Sequence, residues 1–222
     1  MREDITIKSL YTLEESIAGE MLDKYTHPWE VLSDIGDMII ELGKKLPTDI
    51  YTEISENVWI ADSAKVMDSA HISGPCIIGE DSEVRHCAFI RGKVLIGDNC
   101  VVGNSTELKN VILFNHVQVP HFNYVGDSIL GAYAHMGAGS ITSNVKSDKE
   151  NVVIKCNFRN IETGIKKVGA FLGDHVEIGC GSVLNPGTII GKNTNVYPLS
   201  SVRGVVSGGS VYKSSVEIVD KL

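Results

Sequence analysis

The sequence predicts an all-β chain, a parallel β-helix of hexapeptide repeats with a short helical segment ahead of it. Three observations carry this. Aliphatic residues recur every six positions, from Ile60 through Val66, Ile72, Ile78, Val84, Ile90, Ile96 and Val102 to Leu108; the period resumes at Leu130 and Met136 and returns from Leu172 to Val202. The residue four places after each is mostly small (Ala64, Ala70, Cys76, Ser82, Ala88, Cys100, Thr106), and the residue one place after is often Gly. Twenty-two Gly against 6% aromatic residues suit a chain of many tight turns. A period of six fits neither a helix nor a simple alternating sheet. It fits three short strands per eighteen-residue triangular coil, with the aliphatic residue inward, the small residue in the corner and Gly at the turn. Coils then stack at strand spacing, each burying its neighbour's apolar face.

The elements follow in chain order. Residues 1–57 hold thirteen acids and five bases, the whole of the chain's formal charge of −8. Within them residues 28–46 read as a helix, opened by Pro28 and striped by Leu32, Ile35, Ile39, Leu42 and Leu46. Residues 13–24 form a weaker helical segment. This acidic N-terminal stretch is expected to cap the exposed edge of the first coil. The β-helix is expected over 58–206, with a C-terminal tail at 207–222. Two stretches break it. Residues 109–129 lose register around His116, Pro120 and His121, and residues 143–170 insert a loop carrying Lys146, Lys149, Lys155, Arg159, Lys166 and Lys167. Insertions in a solenoid emerge from one edge and commonly carry function, and this one suits an anionic ligand.

Composition excludes several classes. The repeat region is neutral and shows no basic face, which disfavours nucleic acid as a partner. No run of eighteen apolar residues spans a membrane, and the first residues show no apolar signal region. The five cysteines are odd in number and lack C-x-x-C spacing, so reduced thiols in a cytoplasm are expected. Cys76 and Cys100 fall on inward small positions and read as packing residues; Cys87 and Cys180 fall at outward or turn positions.

Arg91 and Lys109 follow the aliphatic residue of their hexads and lie eighteen residues apart, which stacks them about 4.8 Å apart on one face. Two such cations repel unless an anion bridges them, and both suit phosphate. Two readings stand side by side: a phosphate-gripping pair, or a solvated ladder with Glu107 as counter-ion. His121 sits in the register break with Tyr124 three residues on, and reads either as a satisfied surface residue or as an exposed general base. His135, just before Met136-Gly137-Ala138-Gly139, either hydrogen-bonds a ligand or occupies a turn.

Three stretches, Asn104-Ser-Thr-Glu-Leu-Lys109, Pro120-His-Phe-Asn-Tyr124-Val-Gly-Asp-Ser128 and Gly137-Ala-Gly-Ser-Ile-Thr-Ser-Asn144, resemble the acetyltransferase half of bifunctional sugar-1-phosphate nucleotidylyltransferase/acetyltransferases. Glucosamine-1-phosphate N-acetyltransferase is the best-known activity of that family. Gly169-Ala-Phe-Leu-Gly-Asp174 is most similar to its archaeal-type members, and the resemblance covers roughly residues 58–206. It implies a left-handed β-helix, the opposite of the usual crossover hand. It also implies that His121 is the base that deprotonates the sugar amine, that Arg91 and Lys109 hold the sugar phosphate, and that Glu107, Tyr124 and Asn144 contact the sugar. Ala138 would lie against acetyl-CoA, the co-substrate, whose tail would pass Cys180 and Pro198. Trimers with sites between adjacent subunits are implied, with the insertion reaching a neighbour, and no metal. Three departures stand out. No nucleotidyltransferase half precedes the repeat, His135 replaces an Asn at a substrate contact, and Cys180 replaces a Ser at the acyl-CoA contact.

Two alternatives compete. One is a non-catalytic β-helix that serves a separate nucleotidyltransferase as scaffold or sensor. The other resembles γ-class carbonic anhydrases, which bind zinc through three His. His116 and His121 have that spacing, but the third ligand, expected near residue 80, is replaced by Glu80 and Asp81, and His86 is out of register.

Overall fold

The computed structural model describes residues 5–156 and 159–221. It is an all-β solenoid, a left-handed parallel β-helix with a helical segment at the N-terminal side. Each coil contributes one short strand to each of three faces. The first face stacks Val58–Ala61, Cys76–Ile78 and Val94–Ile96, then the ends of Glu107–Leu113 and Tyr124–Leu130, then Ala170–Leu172, Thr188–Ile190 and Val205–Val206. The second runs from Lys65–Val66 through Gln118–His121 and His135–Met136 to Ser210–Ser214. The third stacks His71–Ile72 and Phe89–Ile90 on the beginnings of those two long strands, then Ile141–Thr142, Val183–Leu184 and Ser201–Val202. The inward aliphatic column (Ile78, Val84, Ile90, Ile96, Val102, Leu108) is fully buried, as the six-residue period requires. Cys76 and Cys100 pack in the core, and burial pushes both thiols up to about 12.

The helices of the N-terminal segment do not sit over the end of the first coil, as expected, but along the first face; only its last strand, Tyr51–Ser55, lies at that end. Outward residues of that face form a second apolar column: Trp59, Ile77, Leu95, Ile112, Ile129, Phe171 and Ile189, all buried. Leaving such a column in water costs about 25 cal/mol per Å², so it demands a cover. Helix α1 (Ile7–Leu10), α2 (Gly19–Leu22), the 3-10 turn Pro28–Ser33 and α3 (Ile35–Gly43) supply it, with Asp34 dividing the single helix predicted over 28–46. Tyr11 stacks on Phe114, and Trp29 tilts against Phe171. Asp174 clamps the segment: its carboxylate accepts from the Thr12 amide (2.8 Å), the Thr12 hydroxyl (2.7 Å) and the Ala132 amide (2.9 Å), and pairs with Lys192 at 2.7 Å.

Both ends of the solenoid are closed by antiparallel strands. Tyr51–Ser55 pairs with Val58–Ala61, and Glu217–Asp220 pairs with Ser210–Ser214. The residues expected as a C-terminal tail therefore extend the second face and cover its last edge, which would otherwise template pairing with another chain. Residues 1–4 of the expected cap and residue 222 lie outside the described residues.

The loss of register after Lys109 has a simple cause. Cα partners on the first face are eighteen residues apart at Val58/Cys76 and Cys76/Val94, and seventeen apart at Val94/Val111 and Val111/Ser128. The corner from third to first face is Gly92-Lys93 in one coil and a single residue, Asn110 and then Asp127, in the next two. Both take left-handed backbone (φ 55° and 48°), which Asn and Asp tolerate better than most side chains. At the following coil the same corner opens into the insertion. It forms the hairpin Val153–Lys155/Asn160–Glu162, buries Val152, Ile154 and Val168, and packs beside Gly187 and Gly204 of this chain's own later coils.

Candidate active site

The third face joins two edges that differ in chemistry. Its edge with the second face is a ladder of exposed turns. The His121 carbonyl accepts from the Gly139 amide (3.0 Å), Ala138 from Gly181 (2.8 Å) and Cys180 from Leu199 (2.9 Å). His121, Ala138, Cys180 and Pro198 thus occupy successive rungs of one corner, in the order the sequence analysis expects for a donor track. His121, Cys180 and Pro198 are exposed and Ala138 half-buried. The imidazole of His121 makes no hydrogen bond or ion pair among the described residues; its backbone amide donates to Asn123 Oδ1 at 3.1 Å, which fixes the turn but not the ring. Beside this edge, on the second face, lies a shallow cavity of about 340 Å³ lined by Gly137, Ile178, Cys180, Val196, Tyr197 and Pro198.

The opposite edge, at the corner to the first face, is charged. Arg91 and Lys109 are on adjacent rungs, since Ile90 pairs with Leu108, as predicted. The two cations do not share an anion, nor do they stand unpaired. Arg91 Nη1 binds Glu107 Oε1 at 2.7 Å, which raises the guanidinium pKa, and Lys109 Nζ binds Asp127 Oδ1 at 2.8 Å. The Asp127 side chain is 4% exposed and takes two further donors, Asn110 Nδ2 at 2.9 Å and Asn144 Nδ2 at 2.6 Å. Asn144 Nδ2 also reaches the Tyr124 hydroxyl at 3.1 Å. Burial, then Asp127, raise the Tyr124 phenol above its ordinary pKa, so the hydroxyl stays a neutral donor. Glu107 and Tyr124 are paired across adjacent strands in the middle of the face.

The structure therefore brings Arg91, Glu107, Lys109, Tyr124 and Asn144 into one cluster. It does not bring His135 there. His135 lies on the second face, its Nδ1 2.8 Å from Glu177 Oε2, and lines the same cavity as Cys180 and Pro198. Asp127 and Asn110 were given no role by the sequence reading. Their signal was the spacing, because the coil shortens by one residue where each appears.

The insertion's cations do not converge on this cluster. Lys146 pairs with Asp148 at 3.1 Å, and a cavity of about 580 Å³ between hairpin and coils takes Lys155 and Arg203 together with Asp148 and Glu162. The zinc alternative also finds no support in the chain's geometry. His116 sits at the corner of first and second faces, stacked on Tyr133 at 4.3 Å, while His121 sits at the far end of the strand between. Among the described residues no cluster of three or more His, Cys, Asp or Glu side chains is arranged to hold a metal.

The model of the GMPPB C-terminal domain family matches residues 72–190, which is more than half of the chain and contains the charged edge and the other edge as far as Cys180. The chain belongs to this family. It is 35% identical over 198 residues to "Bifunctional protein GlmU" of Methanococcus maripaludis, covering 88% of this chain and 48% of that protein. It is 30% identical over 185 residues to a "Bifunctional sugar-1-phosphate nucleotidylyltransferase/acetyltransferase" of Sulfurisphaera tokodaii, covering 72% and 46%. The chain thus spans about half the length of the curated relatives it matches. Among solved structures, the polySia-specific acetyltransferase NeuO aligns with a TM-score of 0.49 at 14% identity, over 73% of this chain and 79% of that one.

Proposed function

We propose that the chain transfers the acetyl group of acetyl-CoA to the amine of an amino-sugar 1-phosphate of the glucosamine-1-phosphate type. One observation carries the reading: an exposed, unpartnered imidazole with an open groove on one edge of the third face, and a cation, amide and phenol cluster on the other. The acceptor's phosphate would meet Arg91 and Lys109, and its hydroxyls Glu107, Tyr124 and Asn144. The thioester would lie along Ala138, with the coenzyme's tail passing Cys180 and Pro198. As the amine attacks the thioester carbon, His121 takes a proton from the nitrogen. The C–S bond then breaks, and CoA leaves as its thiol once that proton is returned. Proximity of amine and thioester together with a general base supplies the chemistry without a metal. The name of the Sulfurisphaera tokodaii relative supports the reading. The nucleotidyl step that name includes would belong to a further domain or a separate partner.

The test is release of CoA thiol on mixing the protein with acetyl-CoA and a panel of amino-sugar phosphates. Release is expected with one or more of them, and activity is expected to survive exhaustive chelation. Loss on chelation that zinc restores would favour the carbonic-anhydrase-like alternative. Absence of release with every acceptor would favour the non-catalytic solenoid, a reading to which the unoriented His121 and the Cys180 replacement lend some weight.

The same reading includes a homotrimer with sites between subunits. The first face is covered by the chain's own helices. Tyr133, Phe122, Tyr197 and Leu199, large and exposed, border or lie on the second face, which supports that face as the one buried against a second copy. Light scattering is expected to give about three times the 24.1 kDa chain mass, and a monomer at micromolar concentration would contradict it. No helix among the described residues is long and apolar enough to cross a membrane. We also propose a cytoplasmic setting, on the odd cysteine count and the lack of C-x-x-C spacing.

A further inference from the structure

Asp127 is nearly inaccessible, so it cannot itself serve a ligand that occupies the third face, yet Lys109, Asn110 and Asn144 at that edge are organised around it. Its Oδ1 accepts from Lys109 Nζ and Asn110 Nδ2, and its Oδ2 accepts from Asn144 Nδ2. Two of these donors, Lys109 and Asn110, are neighbours that face opposite ways, and the third, Asn144, comes from the next coil. Lys109 faces the site. Asn110 is buried and also donates to the Leu32 carbonyl (3.1 Å) in the N-terminal cover. Asn144 stands where the insertion opens, and its carbonyl accepts from the Val168 amide at the insertion's return (3.0 Å), while Gly169 donates to the Asp127 carbonyl (2.8 Å). A carboxylate so enclosed is retained only if paired and hydrogen-bonded, and here the pairing fixes its partners in turn.

We infer that Asp127 is the positioning residue of the acceptor site: it sets where Lys109 and Asn144 stand, and through them where the amino-sugar phosphate binds. The inference rests on the acceptor reading proposed above. Two features separate this role from packing. First, Asp127 balances the charge of Lys109, so the edge is neutral overall (Arg91 with Glu107, Lys109 with Asp127). An incoming phosphate then meets two cations already oriented, neither of which it must extract from bulk water. Second, the bond from Asn144 continues to the Tyr124 hydroxyl, so the carboxylate's reach extends to the middle of the face. Substituting Asn for Asp127 keeps the shape but turns one acceptor oxygen into a donor, which then opposes either Lys109 or Asn144 and displaces it.

The test uses Asp127→Asn in the whole chain. The dissociation constant for glucosamine-1-phosphate is measured by calorimetry, the Michaelis constants for both substrates by CoA release, and the melting temperature alongside. The dissociation constant and the Michaelis constant for the sugar phosphate are expected to rise about tenfold, the scale of one charge-assisted contact. The Michaelis constant for acetyl-CoA and the acid limb of the turnover–pH profile are expected to stay put, because His121 and the donor edge are not attached to Asp127. Combining Asp127→Asn with Asn144→Ala is expected to cost less than the two single effects multiplied, since both act through one bond. Should Asp127→Asn not fold, Asn110→Ser removes one donor to the carboxylate without touching the face, and a rise of about threefold is expected. Sugar-phosphate affinity unchanged in whichever variant folds, or strictly multiplicative effects, would overturn the inference while leaving the acceptor reading intact. If the wild-type chain binds no amino-sugar phosphate at all, both fall.

Discussion

Replacing His121 by Ala is expected to lower turnover by a factor of ~10²–10⁴, the range a positioned general base supplies, with little change in either Michaelis constant. The structure makes this a clean experiment. The imidazole is exposed and contacts no charged or hydrogen-bonding group among the described residues, so its removal leaves no buried partner unsatisfied. The turn itself is held by backbone bonds: the His121 amide to Asn123 Oδ1, and the Gly139 amide to the His121 carbonyl. Melting temperature is therefore expected to match the wild type. A variant with wild-type turnover would remove His121 from the mechanism. One that loses both turnover and stability would show that the ring holds the corner and not a proton.

The second large effect concerns Lys109 and its neighbour Arg91. Viewed as a bare cation ladder, neutralising either should relieve repulsion and slightly stabilise the free protein. The observed pairing reverses that forecast for Lys109. Asp127 is 4% exposed and Lys109 28%, so Lys109→Gln strands a buried carboxylate with only amide donors. Losing one partner of a fully buried pair costs roughly 3–5 kcal/mol, and the two remaining amides bring the expected cost down to about 2–3 kcal/mol. For a chain of this size that is a fall of roughly 5–10 °C in melting temperature. Arg91→Gln breaks a pair open to solvent and is expected to leave the melting temperature nearly unchanged. Both substitutions should raise the Michaelis constant for the sugar phosphate about ten- to a hundredfold. Stability thus separates the two residues, and substrate affinity unites them. Unchanged affinity in both variants would show a structural ladder.

What the sequence revealed and concealed follows from the period of the repeat. The inward column, the corner positions and the stacking of Arg91 on Lys109 all depend on a strict spacing of six, and all are legible wherever that spacing holds. Asp127 escaped because its coil is one residue shorter: Gly126 pairs with Lys109, and Asp127, eighteen residues on, moves into the corner, where a strict period of six expects no ligand for a cation. The course of the N-terminal segment was concealed for a different reason. A helical stripe shows that one side must be covered but not by what. The complementary column from Trp59 to Ile189 was present in the sequence, one place before each inward aliphatic residue of the first face. Reading it would have directed the helices to the side of the solenoid. His135 was carried by resemblance to the sugar-contacting group, while its alternating position beside Met136 already put it on the second face.

The central claim is that nitrogen on a phosphorylated sugar receives the acetyl group. Acetyl-CoA labelled with ¹³C at the acetyl carbonyl, incubated with the protein and glucosamine-1-phosphate and followed by NMR, tests it most directly. The predicted result is transfer of the label to an amide carbonyl coupled to the sugar nitrogen, in step with release of CoA thiol. Label appearing only as free acetate, or remaining on the thioester at the rate seen without protein, would contradict it.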